Sequence, residues 1–172
     1  VDFQISYRGR NNQPSFFQIV PVFNNTNSRN IILGNPELKS EFSHGFVTTM
    51  RAFIPSRVQY IETNFAYNYV KDKIVTDKKP VENSTIQQTT FRNAKGYYDW
   101  RWNYVFNTPF ENDDWMLEMT GGLDYYNNLS YIEDRERTTK QFILAQTLQL
   151  KYSLGNYLES MFNANYSRNK AS

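Results

Sequence analysis

Tyr97-Tyr98-Asp99-Trp100-Arg101-Trp102-Asn103-Tyr104-Val105-Phe106 is the stretch whose reading decides the fold. Its even positions, Tyr98, Trp100, Trp102, Tyr104 and Phe106, are all aromatic, while the odd ones include Asp99, Arg101 and Asn103. In an extended strand alternate side chains point to opposite faces, so the segment has one aromatic face and one charged face. A helix would spread the same residues around its circumference and leave no clean stripe. The stretch is a strand. A water-soluble sandwich would bury mostly Val, Ile and Leu on its covered face. Five aromatics in succession suit a surface that meets lipid, where Trp and Tyr settle at headgroup level.

The same alternation recurs on both sides of this strand. Upstream, Val1, Phe3, Ile5 and Tyr7 alternate with Asp2, Gln4, Ser6 and Arg8. Alternation returns at Glu41 with Phe42, Phe46, Met50, Ala52 and Ile54 on one side, stops at the turn Ile54-Pro55-Ser56-Arg57, and resumes with Ile61, Phe65, Tyr67 and Tyr69. Downstream, Trp115, Leu117, Met119, Leu123 and Tyr125 oppose Glu118, Thr120 and Asp124. Phe142, Leu144, Leu148, Leu150 and Tyr152 oppose Gln141, Thr147, Gln149 and Lys151. After a hairpin turn at Gly155-Asn156, Leu158, Phe162, Ala164 and Tyr166 alternate with polar residues to the end. Seven strands of roughly eight to fourteen residues are expected, long enough for a tilted membrane crossing.

Between them the pattern fails. Residues 9–38 hold Pro14, Pro21 and Pro36 and read as a long excursion, with Phe16–Val20 as a short strand or a turn packed on its own aromatics. Residues 71–93 read as a polar connection with Asp77-Lys78-Lys79-Pro80 as its turn, and Asn127–Arg137 as a charged one. Asn107-Thr108-Pro109 and Asn112-Asp113-Asp114 mark another short break. Connections thus alternate long and short, as in outer-membrane barrels with short periplasmic turns and longer outside loops. The first strand is expected to run outward.

Composition narrows the classes. The chain has 172 residues without a shift in composition, which predicts one domain. Hydrophobic content is 40% while aromatics reach 17%, so apolar character has moved from aliphatic to aromatic side chains. No run of about eighteen apolar residues exists, which excludes a transmembrane helix but leaves a transmembrane barrel open, because alternating strands average out to polar. Mean hydropathy is −0.69. With no Cys, disulfides and thiol chemistry drop out. A net charge of +2, with Lys and Arg scattered among Asp and Glu, argues against a nucleic-acid partner. Seven strands do not close a barrel, and hydrocarbon does not tolerate open sheet edges, so the chain is expected to be a piece of a larger barrel, without a plug of its own.

Two segments carry a family resemblance. Gly34-Asn35-Pro36-Glu37-Leu38-Lys39-Ser40-Glu41-Phe42-Ser43 resembles the G-N-P-x-L-K-P-E-x-S signature of TonB-dependent outer-membrane receptors, most closely the Bacteroidetes outer-membrane β-barrel branch. Arg10-Asn11-Asn12-Gln13-Pro14-Ser15-Phe16-Phe17-Gln18-Ile19-Val20-Pro21 is similar to that family's R-x-N-R-P-S-Y-x-Q-L-N-P segment. Ser40 stands where Pro is usual and Gln13 where Arg is. The resemblance implies an all-β, antiparallel up-and-down meander within a barrel of about 22 strands whose lumen holds a plug. It further implies energised uptake of a scarce nutrient such as a metal chelate, glycan or peptide in a Gram-negative outer membrane. The implied partners are outer-membrane lipid, the remaining strands and plug, TonB and a surface lipoprotein.

Candidate residues follow from the two faces. Trp100, Trp102, Tyr104, Trp115, Leu117, Leu144 and Leu148 are expected to face lipid, and Asp99, Arg101, Glu118, Asp124 and Lys151 the lumen. Phe16, Phe17, Tyr97 and Tyr131 lie near outer ends and are candidates to stack on a ligand, with loop pinning as the plainer reading. His44 is the single histidine and alternates onto the side of Phe42 and Phe46, a packing position rather than part of a metal site. Glu118 and Asp124 share a face but stand about 20 Å apart along a strand, too far for a glycosidase pair. No motif for nucleotide binding or hydrolysis occurs, and neither enzymatic activity nor a cofactor or metal is expected. Two other readings stay open: a secreted or surface β-sandwich that binds glycan through its aromatics, and a passive barrel or secretion-system component.

Overall fold

The computed structural model describes residues 1–21, 24–27, 29–110 and 114–172, with the backbone alone at 24–27. In chain order the elements are β1 (Asp2–Asn12), the short helix α1 (Phe16–Ile19), β2 (Asn24–Asn27), β3 (Asn30–Ile32) and β4 (Glu41–Ile54). A 3-10 turn at Pro55–Arg57 leads to β5 (Gln59–Lys71), β6 (Lys73–Pro80) and β7 (Gln87–Ala94). Then come β8 (Tyr97–Pro109), β9 (Trp115–Ile132), β10 (Arg135–Leu154) and β11 (Leu158–Ala171). Among the described residues no helix is long and apolar enough to cross a membrane.

Seven long strands form an antiparallel meander in the order β1-β4-β5-β8-β9-β10-β11. They are the seven that alternation predicts. All eleven strands belong to a single sheet, so there is no second layer of the kind a sandwich needs. The buried apolar residues are only Ala52, Val70, Val75 and Ala94, and no large side chain is fully buried among the described residues. Trp102 and Leu148 stay 39% and 40% exposed, whereas Asp99 is 7% exposed. A soluble fold hides its greasy residues and exposes its acids. Here Trp102 and Leu148 stay open while Asp99 is covered.

Several boundaries differ from the sequence reading. Phe16–Val20 is neither strand nor turn: Phe16–Ile19 forms one helical turn, in which Ser15 and Gln18 make a capping box. The two rings do pack on each other, edge to face, with centroids 5.9 Å apart. Asp77–Pro80 is not a turn but the second half of β6, which reverses at residues 81–86 into β7. Asn127–Arg137 is not a connection either. Strands β9 and β10 run through it and leave a two-residue turn, Glu133-Asp134, both at positive φ. Charge there marks a hairpin standing in water, where neither face needs to be apolar. Of the break after β8, Asn112 and Asp113 lie outside the described residues, and Phe110 N–H bonds the Trp115 carbonyl across it at 2.9 Å.

Candidate functional site

Register decides which side chains share a surface. Across β8 and β9, Trp100 stands opposite Tyr125, Trp102 opposite Leu123 and Thr108 opposite Leu117. Leu144 and Leu148 of β10 stand opposite Leu123 and Met119. Trp100, Trp102, Tyr104, Trp115, Leu117, Leu144 and Leu148 therefore lie on one face, joined by Phe65, Phe46 and Ile5 from the strands before. Asp99, Arg101, Glu118, Asp124 and Lys151 occupy the opposite face.

Two polar groups in the middle of the apolar face are paired within it. The Trp102 indole N–H donates to Thr63 Oγ1 (2.7 Å), and Gln146 Nε2 donates to the Tyr104 hydroxyl (2.9 Å). The Tyr104 ring lies over Gly121, where an added Cβ would come within 2.5 Å of it. In an apolar environment an unpaired N–H or O–H is costly, so such internal pairing is what lipid contact requires. Rings line the loop-side end of this face: Tyr7 on Phe46 (5.0 Å), Phe42 on His44 (4.7 Å) and Trp100 stacked on Tyr125 (5.8 Å). His44 belongs to this belt, its Nδ1 3.0 Å from the Tyr7 hydroxyl.

The polar face is cross-linked by side-chain hydrogen bonds between neighbouring strands. Asn68 donates to Asp99 (2.9 Å), Asn64 to Thr49 (2.8 Å), Gln149 to Asn163 (2.7 Å) and Thr147 to Asn165 (2.8 Å). Arg51 pairs with Glu62 at 3.2 Å, and Glu62 also accepts from the Tyr60 hydroxyl. Arg101 stands directly opposite Asp124, while Glu118 faces Asn107 and Gln149. Neither Asp99 nor Asp124 has another carboxylate directly opposite it, so no acid–base pair is assembled there. No group of three or more metal-ligating side chains occurs among the described residues.

The long connections fold over one end of the wall as an extension of its sheet. Beyond Asn127, β9 has outrun β8, and β6 takes the free edge in parallel: Asp77 opposite Tyr131, Lys78 opposite Ile132. Strand β7 then pairs β3, and β3 pairs β2. Charges lock the junction. Asp77, 2% exposed, lies 3.4 Å from Arg92, while Asp134 meets Lys79 at 2.6 Å and Arg92 at 3.3 Å. The Lys79 ammonium holds the Asp134 carboxyl below the usual carboxylate range, and Asp134 in turn raises Lys79.

The Gly34–Glu41 segment ties these connections together. Gly34 crosses Val20 so closely that any Cβ would fall 2.2 Å from the Val20 carbonyl oxygen. Asn35 donates through Nδ2 to the Phe91 carbonyl (2.9 Å) and through its backbone N–H to Gln18 (2.7 Å), and its Oδ1 accepts from Glu37 N–H (3.0 Å). Glu41 accepts from Ile74 N–H (2.7 Å) and lies 3.6 Å from Lys73. Alternation shows none of this, since these residues bind backbone in other connections.

Of the four residues considered for ligand stacking, two are engaged. Tyr131 lies under the Arg92 guanidinium (4.2 Å) and donates to Glu136 (2.9 Å), and Tyr97 carries the Lys73 ammonium over its ring (5.0 Å). Phe16 and Phe17 project, 69% and 75% exposed.

A single-layer meander of long strands, oily and ringed with aromatics on one face and hydrogen-bonded on the other, is the wall of a membrane β-barrel. The family model described as "Outer membrane protein beta-barrel family" matches residues 1–172, and the chain belongs to that family. Its place is the outer membrane of Gram-negative bacteria, in contact with outer-membrane lipid. No curated protein and no solved structure matches the chain.

Proposed function

We propose that the chain is a wall segment, with its outside loops, of a TonB-dependent receptor that takes up a scarce nutrient, and that its role is transport rather than catalysis. The observation that carries this reading is the placement of the two signature-like segments. Residues 10–21 lead out of β1 into α1, and residues 34–43 lead back into β4, bound to one another at Gly34 and Asn35. The resemblance puts the second motif where an outside loop turns into a descending strand, and Glu41 opens β4 here. The face of Trp102, Leu117 and Leu148 then meets acyl chains. The face of Asp99, Arg101, Glu118, Asp124 and Lys151 meets water and a plug supplied from outside this chain, where charges stay hydrated or paired. The exposed pair Phe16 and Phe17 is the best-placed contact for a ligand or a surface lipoprotein.

Energy coupling separates this reading from a passive barrel. Cells in which this protein limits growth on a ferric chelate, a glycan or a peptide are treated with a protonophore or deprived of TonB. Uptake should collapse under either treatment. Uptake that continues unchanged would assign the protein to the passive class.

A further inference from the structure

The charged residues on the apolar face are unevenly placed. On that face the wall strands carry five Asp, Glu, Lys or Arg residues (Lys71, Glu136, Lys140, Arg168 and Lys170), all at the loop end. Its opposite rim holds Gln59, Thr108 and Ser160 and no charge. Lys140, Arg168 and Lys170 are neighbours. Arg168 and Lys170 are two residues apart on β11, about 7 Å along one face. Lys170 stands opposite Phe142 and is thus diagonal to Lys140, at roughly 7–8 Å. All three are exposed, and among the described residues none lies in an ion pair. The one acid on this rim, Glu136, accepts from Tyr131 farther out on the hairpin. Below the cations the face turns apolar at once, with Leu144, Tyr166 and Leu148.

We infer that Lys140, Arg168 and Lys170 form a binding site on the lipid-facing wall for the phosphate groups of an outer-leaflet glycolipid. The ligand's chemistry is set by the surroundings. An apolar band directly beneath a cluster of cations with no ion-pair partner among the described residues accepts a molecule with acyl chains below and fixed negative charge at headgroup level. In a Gram-negative outer membrane the leaflet on the loop side carries phosphorylated glycolipid. Arg168 offers a planar fork suited to phosphate, and the two lysines add point charges. This inference rests on the orientation adopted under Proposed function, with the long connections outside.

The test uses the protein extracted from its own outer membrane, wild type and Lys140→Gln/Arg168→Gln/Lys170→Gln, incubated with lipid A, dephosphorylated lipid A or inorganic phosphate. Bound glycolipid is counted by native mass spectrometry. Each cation near an anionic headgroup is worth about fivefold in affinity, so the triple variant should bind lipid A roughly a hundredfold more weakly. Wild type should bind the dephosphorylated lipid as poorly as the variant binds lipid A, and should not retain inorganic phosphate. Equal binding by both proteins, or of both lipids, overturns the site. If the triple variant fails to assemble, Lys140→Gln alone serves, with a drop of about fivefold. The same samples report the face itself through brominated acyl chains. Quenching of tryptophan with unchanged glycolipid binding sinks this inference alone, whereas no quenching sinks the assignment of the lipid-facing side beneath it.

Discussion

Gly121 shows what a single position on the apolar face is for. The Tyr104 ring fills the space a side chain would take, and Gln146 secures the hydroxyl, so one Gly, one Tyr and one Gln from three strands form a joint without an orphan donor. Gly121→Val must push the ring aside and break the Gln146 contact; overpacking of this kind costs about 1–3 kcal/mol. Urea unfolding in lipid vesicles measures it, and a variant as stable as the parent would show that the ring is not seated there. Depth imposes a second residue-scale demand. Leu148→Arg, midway between the two rims on β10, places a cation on the apolar face and should cost about 2–4 kcal/mol, whereas Gln149→Arg, next along the strand but on the other face, should assemble normally. Equal assembly of the two variants in liposomes would reverse the assignment of faces.

Among the elements, the β6–β7 hairpin is the one held by charge. It docks on the tip of β9–β10, whose Glu133-Asp134 turn sits at positive φ where Gly or Asn would be easier. Asp134 N–H donates to Asp77 (3.4 Å) and Glu133 N–H to the Lys78 carbonyl (3.0 Å), so the docked hairpin stabilises the turn that receives it. Asp134→Lys should open the junction and raise protease cleavage within 81–86 about tenfold, a free-energy change of one decade. The exchanged pair Lys79→Asp/Asp134→Lys should restore much of the protection. No rescue would mean that the charges are bystanders. Acid acts in the same direction. The Asp134 carboxyl is held below its ordinary value, so its contribution is present above the normal carboxylate range and is lost as pH falls through the depressed one. Lys79 is raised, so its contribution holds below the ordinary lysine range and fades only as pH rises beyond that. Cleavage should therefore stay flat from about pH 5 to 9 and climb at lower pH.

At the scale of the whole molecule, all three tryptophans of the chain, Trp100, Trp102 and Trp115, lie on one side of one sheet. In vesicles their fluorescence should be quenched by brominated acyl chains and resist aqueous iodide. The opposite pattern would place the aromatic face in water and end the membrane-wall reading. Strands β1 and β11 have no further partner among the described residues, and unpaired edges are not tolerated in hydrocarbon.

Alternation by itself determined the seven wall strands and which side chains share a face, because a period of two survives any register that keeps neighbours aligned. It also singled out the Gly34–Glu41 segment, though only as a resemblance. The tertiary structure alone decided what the connections do. Strands β6 and β7 carry Lys, Asp and Thr where an apolar period would have revealed them, since they bury no face against lipid and dock by ion pairs and backbone bonds. Likewise Asn127–Arg137 reads as a loop by charge yet continues two strands, because a hairpin standing in water needs hydrogen bonds between its strands and no greasy side. What lipid selects is written along the chain as a repeat; what water permits depends on partners far apart in sequence.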